Sequence, residues 1–165
     1  MDWSEYWNSN NNINHKILGK WSEYYCKALT KLNKLNDDDI VLDYGAGTGV
    51  ISGYISNQVK SVVAYDNSTA MHRLCVSNMN KFENVSCSIE LSNTQNVSFI
   101  LINSVLQYID SSELDELLNF ISKNTNATSM IISDVVPDDY NPYFDAINNL
   151  WYSLNNQFLF NYLFF

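Results

Sequence analysis

Apolar side chains between residues 16 and 35 recur at intervals of three and four: Leu18, Trp21, Tyr25, Leu29 and Leu32. That spacing predicts a helix with one apolar stripe. The polar run NDDD at 36–39 ends it. Beyond it the period changes. Short, nearly continuous apolar runs at 40–45, 61–66, 85–91, 98–104 and 128–136 read as buried strands. Between and after them, 48–58, 68–82, 111–124 and 141–154 read as helices. Ser68 is the expected N-cap of the second of these, and Ser followed by acids marks the start of the third. Pro142 suits the first turn of the last. The Asn-rich stretch before residue 15 reads as a loop.

Strands alternating with helices predict parallel βαβ units with right-handed crossovers. Strands apolar along their whole length predict a sheet covered on both faces. The expected fold is therefore α/β, a Rossmann-like doubly wound and mostly parallel sheet of about five strands. In such a sheet a ligand sits beyond the carboxyl ends of the strands, where the strand order reverses. The segments to inspect are 43–49, 66–68, 90–93, 103–108 and 134–140.

Glycine usage sharpens this. The chain has five glycines, and three stand at alternate positions in VLDYGAGTG, residues 41–49. Glycine permits a tight turn and a close approach of ligand to backbone. A phosphate-cradling loop would need GxxxxGK, and no Lys follows here. The dinucleotide fingerprint needs GxGxxG, but the third glycine falls one position early and Val50 stands in its place.

VLDYGAGTG resembles motif I of the class I S-adenosylmethionine-dependent methyltransferases, an apolar strand and an acid followed by GxGxG. VVAYDNSTAM resembles that family's second strand, FILINSVLQYI its fourth motif and MIISDVVP its fifth strand. The similarity spans roughly residues 20–140. The resemblance implies the strand order 3-2-1-4-5 and S-adenosyl-L-methionine as cofactor. It implies that Gly45, Ala46, Gly47 and Gly49 form the cofactor loop. Asp43 would orient that loop near the cofactor's cationic amino-acid end. Asp66, followed by Asn67, would hold the ribose; a carboxylate can accept hydrogen bonds from both hydroxyls of a diol. Met71 would pack on adenine. The residue that meets the adenine amino group is expected around Glu90 and Leu91, with Ser92 and Asn93 as alternatives. Asn103 and Ser104 would touch the methionine moiety. Ser98 departs from the family, which often has an Asp early in strand four; that difference bears on structure more than chemistry.

A hydroxyl acceptor benefits from a general base. Asp134 is the first candidate and Tyr108 the second; His15 could fold over from the N-terminal side, and His72 reads as structural. Tyr6, Trp7 and His15 are the candidate lid and substrate residues. No metal is expected. The domain reading is one methyltransferase domain over 1–165: lid and helix at 1–36, cofactor core at 37–140, helix and apolar tail at 141–165. The family's antiparallel strands six and seven are expected to be missing, leaving strand five as an edge. The tail would cover that edge or dock against a second copy or another partner.

The net charge of -9 argues against nucleic acid, whose phosphates call for clustered Lys and Arg. A small-molecule acceptor, methylated at oxygen or nitrogen, is the expected substrate. The alternatives are a non-catalytic cofactor-binding interaction module and a nicotinamide-dependent oxidoreductase. Cys26, Cys75 and Cys87 are scattered, with no CxxC pair, so reduced thiols are expected rather than a disulfide framework. Without a signal-like leader or an apolar run near 18 residues, the expected setting is the cytoplasm, with no transmembrane segment.

Overall fold

The computed structural model describes residues 15–31, 35–92 and 94–133. All of them fall in one compact unit, Met1–Val135. The elements in order are helix α1 (His15–Lys31), strand β1 (Ile40–Tyr44), helix α2 (Val50–Ile55) with a 3-10 turn at Ser56–Gln58, and strand β2 (Ser61–Tyr65). Helix α3 (Thr69–Met79), strands β3 (Val85–Ser88) and β4 (Phe99–Asn103), a 3-10 turn (Leu106–Tyr108), helix α4 (Ser111–Asn124) and strand β5 (Ser129–Ser133) follow. The five strands form one sheet in the order β3-β2-β1-β4-β5. Every neighbouring pair is parallel. The expected α/β fold and strand order are thus observed. The expected helix at 141–154, the apolar tail and the question of strands six and seven lie outside the described residues.

Alternation along the central strands builds two cores. Val41, Phe99 and Leu101 face one side, packed with Cys26 and Leu29 of α1 and Ile55 of α2. Leu42, Ile100 and Ile102 face the other, packed with Leu117 of α4. Five of these six strand side chains have no solvent exposure, and Phe99 has 2%. Burying each contributes roughly 1.5–3 kcal/mol. A one-residue slip would exchange the two faces, so the register is strongly specified. It places the carboxyl ends of β1, β2 and β4 side by side, with Tyr44 opposite Tyr65 and Ile102.

The local signals hold with two corrections. Ser68 caps α3, its Oγ accepting the N–H of Met71 at 3.2 Å. The cap of α4, however, is Asp110, which forms a reciprocal capping box with Glu113. The serines that suggested the start sit inside the first turn. A carboxylate at the preceding position takes two backbone N–H groups, those of Ser112 and Glu113.

The second correction concerns the thiols. Cys75 of α3 and Cys87 of β3 are joined as a disulfide, and Cys26 is free and buried. The α3 crossover returns the chain so that two residues 12 apart in sequence have Cα atoms 6.3 Å apart, inside the range a disulfide spans. Linear spacing does not reveal this. Burial first, and then the nearby Asp43, pushes the Cys26 thiol up to about 12.

Ser98 has a structural task at the amino edge of the sheet. Its Oγ donates to Asp39 Oδ1 at 2.8 Å and accepts the Ile40 N–H at 3.1 Å. Asp39 Oδ2 meanwhile accepts from the backbone and side chain of Asn36. An acid at position 98 would face the Asp39 carboxylate, which explains the serine. At the other extreme β5 is an edge strand among the described residues, with Met130 42% and Ile132 37% exposed.

Ser98→Ala should cost about 1–3 kcal/mol in urea unfolding, because it strands the Ile40 N–H and removes a donor to Asp39. Thiol titration of the unfolded, unreduced protein should find one reactive cysteine; three after reduction alone would match the pairing, and three before it would contradict it.

Candidate active site

Past Tyr44 the chain turns back over the end of β2. The N–H groups of Gly45 and Ala46 both donate to the Tyr65 carbonyl, at 2.9 and 2.8 Å. The Gly47 N–H donates to Asp66 Oδ2 at 2.8 Å, and the Gly49 N–H to the Ala46 carbonyl at 2.9 Å. This path needs left-handed backbone. Gly45 has φ 74 and a Cβ on it would run into the Val105 side chain. Gly47 has φ 56, yet a Cβ on it would meet nothing within 4 Å, so the loop is open to a ligand at this point. Gly49 is the N-cap of α2. On the outer side Asn78 of α3 donates to the Thr48 carbonyl at 3.0 Å.

Asp66 connects this loop to the next helix. Its second oxygen, Oδ1, accepts the Ser68 N–H at 2.9 Å, and Ser68 in turn caps α3. Asn67, between them, is exposed. Asp43 is 2% exposed and accepts the Ser52 Oγ–H at 2.5 Å, which fixes α2 against β1. Both carboxyls are pushed above their ordinary range. For Asp43 burial is the main cause, opposed by the Ser52 bond and reinforced by the Asp66 charge, and the value reaches about 6. For Asp66 burial again leads, opposed by the Ser68 and Gly47 N–H groups and by His72. Neither acid forms an ion pair among the described residues, where the sole such pair is Lys27–Glu23 on α1.

The neighbouring strand end is held by side chains. The Ser104 N–H donates to the Ser133 carbonyl at 3.0 Å, and Ser104 has φ 58, unusual for a residue with a Cβ. Asn103 Nδ2 donates to Ser104 Oγ, and Ser133 Oγ donates to Asn103 Oδ1, each at 3.0 Å. The Tyr25 hydroxyl of α1 meets Ser133 Oγ at 2.7 Å. Gln107 Nε2 donates to the Ser104 carbonyl at 2.9 Å. Among the described residues two buried side-chain atoms have no hydrogen-bond partner, His72 Nδ1 and Gln107 Oε1.

Of the expected residues, Asp43, Gly45, Ala46, Gly47, Gly49, Asp66 and Asn67 therefore form one connected group, with Asn103 and Ser104 at the adjoining strand end. Met71 is 3% exposed, closed in by protein. Glu90 is exposed just past β3, its N–H donating to Ser88 Oγ at 3.2 Å, and Leu91 packs on the core beneath. Tyr108 is half-buried in the 3-10 turn after β4. Asp134, Tyr6, Trp7 and Asn93 lie outside the described residues, as does the side chain of His15. No three His, Cys, Asp or Glu side chains gather at one point among the described residues. Ser52, Tyr25, Ser133 and Gln107 were not expected. Ser52 could have been found from its inward position one turn into a helix that opens at Gly49; Gln107 and Ser133 lie inside the motif-like stretches and Tyr25 in the apolar stripe, but nothing local singles out their side chains.

Residues 15–163 match the family model described as a methyltransferase domain. Two curated relatives, from two strains of Methanococcus maripaludis, are each named probable cobalt-precorrin-6B C(15)-methyltransferase (decarboxylating). They are 28% and 30% identical over 129 residues, covering 78% of this chain and 70% of theirs. Among solved structures, precorrin-6y C5,15-methyltransferase of Geobacter metallireducens is similar in fold, with TM-score 0.56 and 18% identity over 86% of this chain and 72% of that one. So is DhpI bound to S-adenosylhomocysteine, with TM-score 0.62 and 14% identity over 78% of this chain and 66% of that one.

The raised Asp43 carboxyl makes a pH prediction with a definite sign. Between the unfolded value of 3.8 and about 6, the folded protein keeps a proton that the unfolded chain has released. That contribution to stability is present below this window and lost as pH rises through it, by about 3 kcal/mol in all. Asp43→Asn should flatten the fall in unfolding free energy between pH 4 and 6 accordingly. An unchanged profile would show that Asp43 titrates normally.

Proposed function

The chain belongs to the methyltransferase-domain family and is an S-adenosylmethionine-dependent methyltransferase, and we propose that it methylates a small-molecule acceptor at oxygen or nitrogen. The observation that carries the site assignment is Asp66. A carboxylate bridges the glycine loop and the start of α3 at the carboxyl edge of the sheet, with open space in front of Gly47.

The residues present fit the cofactor. Each Asp66 oxygen accepts one backbone N–H, and a carboxylate oxygen has about two acceptor sites. One site per oxygen remains for the two ribose hydroxyls. Gly45, Ala46, Gly47 and Gly49 supply the backbone of the loop, and at Gly47 the approach is free of a Cβ. Buried Asp43 and half-buried Asp66, neither in an ion pair among the described residues, suit a ligand whose sulfonium and ammonium are positive. On this reading Glu90 would meet the adenine amino edge, with Leu91 packed on the core beneath it, and Asn103 and Ser104 would hold the methionine end; Met71, closed in by protein, has little surface left to offer adenine. Asp43 acts through Ser52, fixing the loop rather than touching the ligand.

When bound, the cofactor supplies an electrophilic methyl on a sulfonium, open to in-line displacement. The protein's part is to hold both partners in attacking geometry and exclude water. Asp134, and next Tyr108, would take the acceptor's proton where one must leave. Tyr6, Trp7 and His15 would close over the acceptor. The assignment of 1–165 to a single domain is supported by the family match over 15–163.

The net charge of -9 supports a small acceptor over nucleic acid. A carbon acceptor is the second reading, favoured by the C(15) in the names of the two archaeal relatives. The deciding experiment supplies S-adenosylmethionine carrying a carbon-13 methyl with panels of amines, phenols, carboxylates and cobalt-precorrins. Release of S-adenosylhomocysteine identifies the acceptor, and the methyl carbon shift of the product separates oxygen, nitrogen and carbon. Turnover on nucleic acid alone would overturn the proposal.

Asp66→Ala should weaken S-adenosylmethionine binding by about 2 kcal/mol, roughly 30-fold by calorimetry. Binding to the parent protein should also weaken as pH falls through the raised Asp66 value, since the protonated acid is a poorer acceptor. Unchanged affinity in the variant would remove Asp66 from the site.

A further inference from the structure

We propose that Gln107 binds the α-ammonium of the cofactor's amino-acid end through its side-chain oxygen. The inference rests on the cofactor reading above and goes beyond it by giving a role to a side chain to which the motif resemblance assigned none.

The turn after β4 is almost fully hydrogen-bonded. Ser104 donates its N–H to Ser133, accepts Asn103 Nδ2 on its Oγ, and accepts Gln107 Nε2 on its carbonyl at 2.9 Å. The Asn103 oxygen is taken by Ser133 Oγ, which also meets Tyr25. Through this set Ser104 is kept at φ 58, a conformation that a residue with a Cβ adopts only when its surroundings hold it there. One buried side-chain acceptor in the turn is unanswered: Gln107 Oε1. Its identity is unambiguous, because the other amide atom faces a carbonyl and must be the donor.

An unanswered buried carbonyl destabilises the fold, so its presence calls for a reason. Amide geometry fixes the place. Oε1 and Nε2 share one carbon, so the oxygen lies within a few ångströms of the Ser104 carbonyl, at the end of the strand assigned to the methionine moiety. That moiety has one N–H donor, the α-ammonium. Its bond to a neutral carbonyl would be charge-assisted and stronger than an ordinary amide pair. Ligand binding would then answer the turn's unpartnered side-chain acceptor.

The test is a cycle between side chain and ligand, read by calorimetry. The ligands are S-adenosylhomocysteine, its desamino analogue and 5′-methylthioadenosine, which lacks the amino-acid end. Gln107→Met, similar in length and apolar, should weaken S-adenosylhomocysteine about tenfold. It should leave 5′-methylthioadenosine and the desamino analogue within about twofold. Gln107→Glu, which returns a carboxylate oxygen to the position, should widen the preference for the amino-bearing ligand over the desamino one. Equal losses for all three ligands would mean that Gln107 only supports the turn, and unchanged S-adenosylhomocysteine affinity would mean that it binds nothing; either overturns the proposal. If Gln107→Met does not fold, a Gln107→Glu variant with no widened preference overturns it as well. Failure of the parent protein to bind any of the three would instead count against the cofactor site itself.

Discussion

One carboxylate ties the ligand-facing edge of this protein together. Asp66 stands just past β2, takes the Gly47 N–H from the loop after β1, and takes the Ser68 N–H at the entry to α3. Three consecutive stretches of chain therefore converge on two oxygen atoms. The glycines allow the loop to reach this point but do not by themselves define where it rests. The double anchor does that, together with the Tyr65 carbonyl, which accepts from Gly45 and Ala46. Burial works against this carboxylate, and backbone N–H donors partly offset the burial. The same balance that holds the loop thus leaves the group ready for further donors.

The electrostatic setting follows from the fold. Asp43 lies on β1 and Asp66 just past β2, adjacent parallel strands, so their charges add. Elsewhere in proteins such acids are usually answered by Lys or Arg; neither is among the described partners here. A ligand carrying positive charge relieves the repulsion without any basic side chain being displaced. Asp43 is sealed behind Ser52 and acts on the position of α2, whereas Asp66 is half-buried and lies at the loop itself. Two acids of the same motif series thereby take different physical roles.

What could be read in advance was what depends on local pattern. The period of apolar residues marked all five strands and the helices between them, and Ser68 was legible because an N-cap acts on the residues directly after it. The glycine spacing was legible because left-handed backbone restricts which residue types can serve, and Asp66 because an acid ending a strand before a turn can accept the N–H groups that follow. The illegible features are those made by chain return. The Cys75–Cys87 pairing depends on how α3 packs on β3, and the Tyr25–Ser133 contact joins residues 108 positions apart. The α4 cap was misplaced by one residue because Asp and Ser are both good caps and stand side by side. Ser98 looked like a lost acid until Asp39 was seen occupying the same edge.

The long-range contact at Tyr25 has a consequence for how the site is built. Helix α1 precedes the glycine motif and packs on the face of the sheet that carries α2. Its Tyr25 hydroxyl reaches the carboxyl end of β5 and, through Ser133 and Asn103, the side chain of Ser104. A displacement of α1 therefore cannot leave the β4 turn untouched, because the hydroxyl has to give up Ser133 or carry it along. The segment before motif I thus belongs to the site mechanically, through a chain of hydrogen bonds, and this holds whatever residues 1–14 do. The β1–β2 side of the cleft is set by backbone and one carboxylate, while the β4–β5 side is set by neutral side chains. Neutral hydrogen-bond networks are easier to rearrange than a buried charge. Adaptation to a different acceptor would accordingly be expected on the β4–β5 side, with the loop and Asp66 left intact.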